Sequence, residues 1–220
     1  MGNKNKILLI LLNWLIYLFP LFYILGNLFI NTSIILILLI GLMLYQSKIF
    51  DFKKDNLVIL ITTFFLIVII STFFESIFNP GNVKVFKSII FLRYLILLLV
   101  IRYAVINNHI NLKNILISSL IFSSFVSLDV ILQFVTGKNI IGFESTIAHR
   151  SSFFADEAIA GGFIQRFSIL GFFITLILFK KNYFKAIFSS TFLLISFLAS
   201  FYSGNKMPTF MIVLFAIGFL

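Results

Sequence analysis

Long apolar runs alternate with short polar clusters along the whole chain. The runs cover about residues 7–25, 28–46, 57–74, 88–106, 115–135, 163–179, 186–202 and 208 to the last residue, each with at most two ionisable side chains. A helix of roughly 20 apolar residues crosses a hydrocarbon core about 30 Å thick. The pattern therefore predicts an all-α, polytopic transmembrane helix bundle of about eight spans, the last one truncated. Pro20 falls inside the first run, where a kink is tolerated because neighbouring groups can re-satisfy the freed carbonyl. The first run is long, lacks a small-residue cleavage site and is followed by similar runs, so it reads as a retained helix and not a signal peptide. The final run, 208–220, is too short to cross and has no polar flank. This leads us to expect one transmembrane domain over 1–220 that forms the N-terminal half of a longer protein.

Composition agrees: 61% of residues are hydrophobic, 11% are charged and the mean hydropathy is +1.14, well outside the range of soluble domains. The absence of cysteine excludes disulfides and thiolate metal sites. The net charge of +10 is informative through its distribution. With the N-terminus in the cytoplasm, ten basic residues fall on the inner side against Asp51 and Asp55, a net +8. The outer side and its membrane edge hold seven basic and five acidic residues, a net +2. That asymmetry fits the positive-inside rule. It makes the basic balance a topology signal and argues against nucleic-acid binding, for which no basic patch on a soluble domain is present.

Under this topology the longest connection, 136–162, lies outside. It contains HRSSFFADEAIAGG at 149–162, with His149, Arg150, Asp156 and Glu157 close together. One reading is a solvated loop in which Ser151 or Ser152 caps a short helix and the two acids complement its dipole. The other is a re-entrant or interfacial segment lining a cavity at the outer membrane surface, suggested by the adjacent Phe153 and Phe154. It could turn Arg150 and Arg166 towards a phosphate and Glu157 towards a sugar hydroxyl. Arg93 and Asp129 are ionisable groups within spans, both about 8–9 Å below the outer helix ends at ~1.5 Å per residue. They are expected to pair, and Gln133 lies one turn above Asp129 on the same face. Such a group could be a structural brace or the polar floor of a site for a lipid-linked substrate. Lys206 opens the last run, where snorkelling would also explain a lysine. No metal-ligand spacing, phosphate loop or Ser-His-Asp set occurs, so neither a metal nor another cofactor is expected.

Three stretches, LDVILQFVTGKNIIGFE at 128–144, HRSSFFADEAIAGGFIQRF at 149–167 and YSGNKMPTFMIVL at 202–214, resemble the O-antigen ligase and polymerase superfamily of bacterial inner membranes. They are similar to a helix end leaving through "G-x-N-I-x-G", to "R-x-x-G-F-F-x-[DE]-E-x-I-A-G-x-Y-L" and to "S-G-x-R" at the outer start of a helix. The resemblance implies a GT-C-like, metal-independent glycosyltransferase. Its donor would be an undecaprenyl-diphosphate-linked glycan, and its acceptor lipid A-core or a second repeat unit. It implies an inner-membrane protein, with arginines holding the diphosphate and a basic histidine in a later loop. Lys206 stands where the pattern has arginine, and Ser152 where it has glycine. Lysine supplies the charge without the bidentate fork. The candidate substrate-binding residues are Arg150, Lys206, Arg166, Arg93, Asp129 and Gln133. Glu157 is the candidate catalytic group, with His149 a weaker one. A transporter or flippase of lipid-linked sugars and a non-enzymatic scaffold subunit are the alternatives.

Overall fold

The computed structural model describes residues 3–50, 55–78, 84–144, 150–154 and 158–219. Among these residues nine α-helices follow one another: α1 Asn3–Tyr17, α2 Phe19–Leu25, α3 Asn27–Tyr45, α4 Asn56–Phe78, α5 Lys84–Ile106, α6 Leu112–Thr136, α7 Ala160–Leu178, α8 Asn182–Tyr202 and α9 Lys206–Phe219. Six, α3 to α8, are long and apolar enough to cross a membrane, and α1 with α2 forms a bent pair that would make a seventh span. The chain is thus a helical, multi-pass membrane protein. The eighth expected span is the 14-residue apolar helix α9. Packing divides the helices into two compact units, Met1–Ile16 with Asn31–Asn111, and Tyr17–Ile30 with Leu112–Leu220.

In the first unit α4 and α5 run antiparallel. Phe65 stacks on Phe91 with ring centroids 5.2 Å apart, and farther along the pair Thr72 Oγ1 donates to Ser88 Oγ at 2.8 Å. Gly41 leaves room for the Val100 side chain, which a Cβ at that position would strike. At the other end of α4, Asp55 Oδ1 accepts from the backbone N–H groups of Leu57 and Val58, capping the helix as an acid does best at this terminus. Its Oδ2 receives Arg102 Nε at 2.8 Å and Nη2 at 2.6 Å. The bond from Arg102, then those from the backbone, hold the Asp55 carboxyl below its ordinary pKa. A depressed carboxyl adds stability above its unfolded-state value, about 4, and loses it as pH falls through the folded value. The melting-temperature gap between wild type and Asp55→Asn in detergent should therefore be small, present at neutral pH, and closing below about pH 4. A gap independent of pH would assign the effect to the cap alone.

In the second unit α6, α7 and α8 pack around small residues. Ser119, Ser123 and Ser127 are buried four apart on α6, and Ser196 and Ser200 on α8. Small side chains let helix backbones approach where lipid gives no hydrophobic drive to associate. One close approach is at Gly171, whose missing Cβ would lie 2.8 Å from Leu120 Cα. Helix α7 buries ten of its 19 residues, whereas α4 buries only Val58 and Phe65; α7 is the central element here. A core of Val126, Val130, Phe154, Phe163, Ile164, Phe167 and Ile212 takes in Phe19 and Tyr23 of α2. The break expected near Pro20 falls at Leu18, with the proline in the first turn of α2, where its missing N–H is harmless. The carbonyl of Tyr17, beside the break, accepts from Ser118 Oγ of α6.

Candidate functional site

The connection after α6 does not simply leave the helix end. Gly137 and Gly142, both in the left-handed region (φ 80 and 101), bend residues 137–144 into a hairpin closed by pairing of Lys138 with Glu144. The hairpin lies back against α6, because Ile140 N donates to Asp129 Oδ1 at 2.9 Å. Asp129 lies seven residues before the helix end at Thr136, about 10 Å along the axis at 1.5 Å per residue. The chain then returns deeper still. Phe153 stacks on Phe125 with centroids 5.0 Å apart, at a position eleven residues before the end of α6, or roughly 16 Å. Phe154, in the 3-10 turn Ser152–Phe154, packs against both Tyr23 and Phe163. These contacts pack Phe153 and Phe154 against the helices instead of leaving them in solvent.

One residue anchors the return. Ser152 is fully buried and all three of its polar groups are held. Its Oγ donates to Asp129 Oδ2 at 2.5 Å, its N to Gln133 Oε1 at 2.9 Å, and its carbonyl accepts from Asn139 Nδ2 at 2.7 Å. Gln133 Nε2 also donates to the Phe143 carbonyl at 3.2 Å, and Asn139 Oδ1 accepts from Phe143 N at 2.7 Å. Asp129 and Gln133, one turn apart, thus grip hairpin and return segment together. Ser152 has φ 53, a backbone that favours glycine; here the side-chain bond to Asp129 offsets the steric cost.

Above this lock the basic residues meet aromatic rings. The Arg150 guanidinium lies 5.0 Å over the Phe134 ring, whose other partner Tyr202 stacks at 4.0 Å. Arg150 N donates to the Ser203 carbonyl at 3.3 Å, tying the loop to the turn between α8 and α9. Asn205 Nδ2 from the same turn donates to the Ala158 carbonyl at 2.8 Å. Gly161 completes the join, since a Cβ there would sit 2.5 Å from Ser203 Oγ. Lys206 follows immediately and is exposed. Arg166, on the second turn of α7, donates to Tyr23 Oη at 2.6 Å. Among the described residues no carboxylate lies within salt-bridge distance of Arg150, Arg166 or Lys206.

The three stretches singled out in the sequence are therefore joined by named bonds, and Arg150, Lys206, Arg166, Asp129 and Gln133 all belong to the second unit. Arg93 and Asp129, which were expected to pair, belong to different units, and each has partners within its own. Asp129 accepts from Ile140 and Ser152, and Arg93 Nη2 donates to Tyr94 Oη at 2.9 Å with its guanidinium over that ring. Matched depth along two helices says nothing about which way their side chains face. Glu157, Asp156 and His149 lie outside the described residues. Sequence reasoning did not single out Asn139, Tyr23, Phe134, Tyr202 or Asn205. An asparagine between two glycines was the available signal for the first; the aromatic residues carried none in a chain with 31 phenylalanines. Comparison with protein-family models, with curated proteins and with solved structures found no match.

Proposed function

We propose that this chain forms the membrane-embedded part of a metal-independent glycosyltransferase of the O-antigen ligase and polymerase type. It would act on an undecaprenyl-diphosphate-linked glycan at the face where α6 ends and α7 begins. The observation that supports this reading is the convergence of the three resembling stretches on one buried lock, with Arg150, Arg166 and Lys206 carried around it. Diphosphate departure builds negative charge on the leaving oxygens. Fixed cations can stabilise that charge without a metal, and arginine binds it through paired N–H groups. Arg150, tied at its backbone to Ser203 and braced over Phe134, is the most firmly positioned of the three. Asp129 and Gln133, fully buried, act through the loop they hold and not on the substrate. Proton removal from the acceptor hydroxyl falls to a base such as Glu157, His149 or a group in a later loop.

The test is complementation of a ligase- or polymerase-null strain with full-length protein, reading surface polysaccharide beside the protein level in membranes. Arg150→Ala and Lys206→Ala should each lower transfer by at least about tenfold, the loss of one charge-assisted contact worth ~1.5–3 kcal/mol. Lys206→Arg should be tolerated, since it restores the fork. Wild-type polysaccharide from both alanine variants at normal levels would remove this face from the active site.

A further inference from the structure

The hairpin 137–144 presents its apolar tip outwards. Ile140 and Ile141 are 62% and 63% exposed, and Phe143 is 42% exposed. Turn tips that face water are usually built from Gly, Asn, Asp or Ser, and the glycines here are at the bends while isoleucines hold the tip. The tip is not free to lift away. Ile140 N is bonded to Asp129, and Asn139 is buried with its side chain bonded to both Ser152 and Phe143. Helix α6 has 25 residues, about 37 Å of length against a hydrocarbon core of roughly 30 Å. If it is centred, its ends project about 4 Å at each side, which leaves the level of Asp129 some 5 Å or more inside the hydrocarbon boundary. Asp129 and Gln133 define the face of α6 that holds the hairpin. The neighbouring face carries Leu128, Leu132 and Val135, all exposed, as lipid-facing residues are. Lys138 and Glu144, at the open end of the hairpin, are exposed and paired at 3.0 Å, which suits the headgroup layer.

We infer that the hairpin is a membrane-interface anchor: Ile140 and Ile141 sit among the acyl chains of the leaflet at the C-terminal end of α6, with Lys138 and Glu144 at the level of the headgroups. The occupant of the exposed tip is lipid. The anchor sets the depth of the segment that carries Ser152 and Arg150, because the same two side chains of α6 hold both. This inference rests on the hairpin geometry and is independent of the catalytic reading.

The chain contains no cysteine, so single-cysteine variants report cleanly. Ile140→Cys, Ile141→Cys and Glu144→Cys in the full chain, reconstituted in phosphatidylcholine nanodiscs, would be reacted with a membrane-impermeant maleimide. The two tip positions should label at least about tenfold more slowly than Glu144→Cys, as burial in a hydrophobic layer disfavours the thiolate. A bimane attached to either tip position through a permeant reagent should be quenched by lipids brominated near the headgroup end of the chain, and little by aqueous iodide. Equal labelling at all three positions would overturn the anchor and make the tip a solvated loop. Slow labelling without quenching by brominated lipid would also overturn it, and would mean that protein covers the tip; dependence of that protection on protein-to-lipid ratio would identify a second copy. Hydrogen exchange at Ile140 and Ser152 in each variant checks that the hairpin remains on α6, and loss of that protection in the tip variants alone would show that the isoleucines hold the hairpin through protein contacts, which also counts against lipid.

Discussion

Asp129→Ala should detach the return segment from α6. The substitution removes the acceptor for a buried donor, Ser152 O–H, and a part-buried one, Ile140 N–H, and an unsatisfied buried donor costs about 1–3 kcal/mol. Hydrogen bonds within membrane helices measure weaker than this, because partly unfolded states find other partners, so the combined loss should be roughly 3 kcal/mol. Ser152→Ala should cost less, since it removes one bond and keeps the other two. Ser152→Gly should cost less again, because it relieves the left-handed backbone while losing the same bond. The order Asp129→Ala, Ser152→Ala, Ser152→Gly is the discriminating result. It would be read as hydrogen exchange at Ile140 and Ser152 in detergent or nanodiscs, with thermal melts alongside. Unchanged protection at both amides in Asp129→Ala would show that packing of Phe153 and Phe154 holds the segment without the polar lock.

The second large effect concerns helix packing. At Gly171 a Cβ alone would lie 2.8 Å from Leu120 Cα and 3.0 Å from Leu120 N, and neither backbone atom can rotate aside. Gly171→Leu should therefore separate α6 from α7 at a cost of about 3 kcal/mol, with Gly171→Ala intermediate. Gly162, where a Cβ meets nothing, is the matched control: Gly162→Ala should be near neutral. Unfolding in mixed micelles of increasing sodium dodecyl sulfate measures the three together. Equal midpoints for Gly171→Leu and Gly162→Ala would mean that the helices are not in this contact. Because α7 carries Arg166 and has Gly161 in its first turn, a separated pair should also lose order at the join with Ser203 and Asn205.

The helices were legible because a span is a one-dimensional signal: its length and its apolar content suffice, and α3 to α8 follow from them. Pro20 likewise announced a break whose position depends only on local backbone chemistry. The polar lock was partly visible. Asp129 and Gln133 were marked by being polar inside a span and one turn apart, but their partner was hidden. Ser152 read as an ordinary loop serine, or as a departure from a glycine pattern, and nothing in its neighbours announces a bond to a residue 23 positions earlier. The Arg93–Asp129 expectation rested on depth alone. Depth along a helix can be counted, whereas azimuth and the choice between two nearby acceptors are set by packing. Arg93 has a tyrosine adjacent in sequence whose ring and hydroxyl both serve it.

The break at Leu18 has a consequence for biosynthesis. It separates α1, which packs in the first unit, from α2, which packs in the second, and the α6 hydroxyl that donates to the Tyr17 carbonyl belongs to Ser118. Between the end of α2 at Leu25 and the start of α6 at Leu112 lie residues 26–111, which include all of the first unit beyond α1. At about 5–20 residues per second, α2 leaves the ribosome roughly 4–17 seconds before α6, and longer before α7, whose Phe163 and Phe167 meet the Tyr23 ring. During that interval the first unit can assemble while α2 waits with its partners unsynthesised. A chaperone or the insertion machinery has a defined client in this period: a seven-residue helix with a proline in its first turn, too short to span the bilayer alone and committed to a bundle that is not yet made.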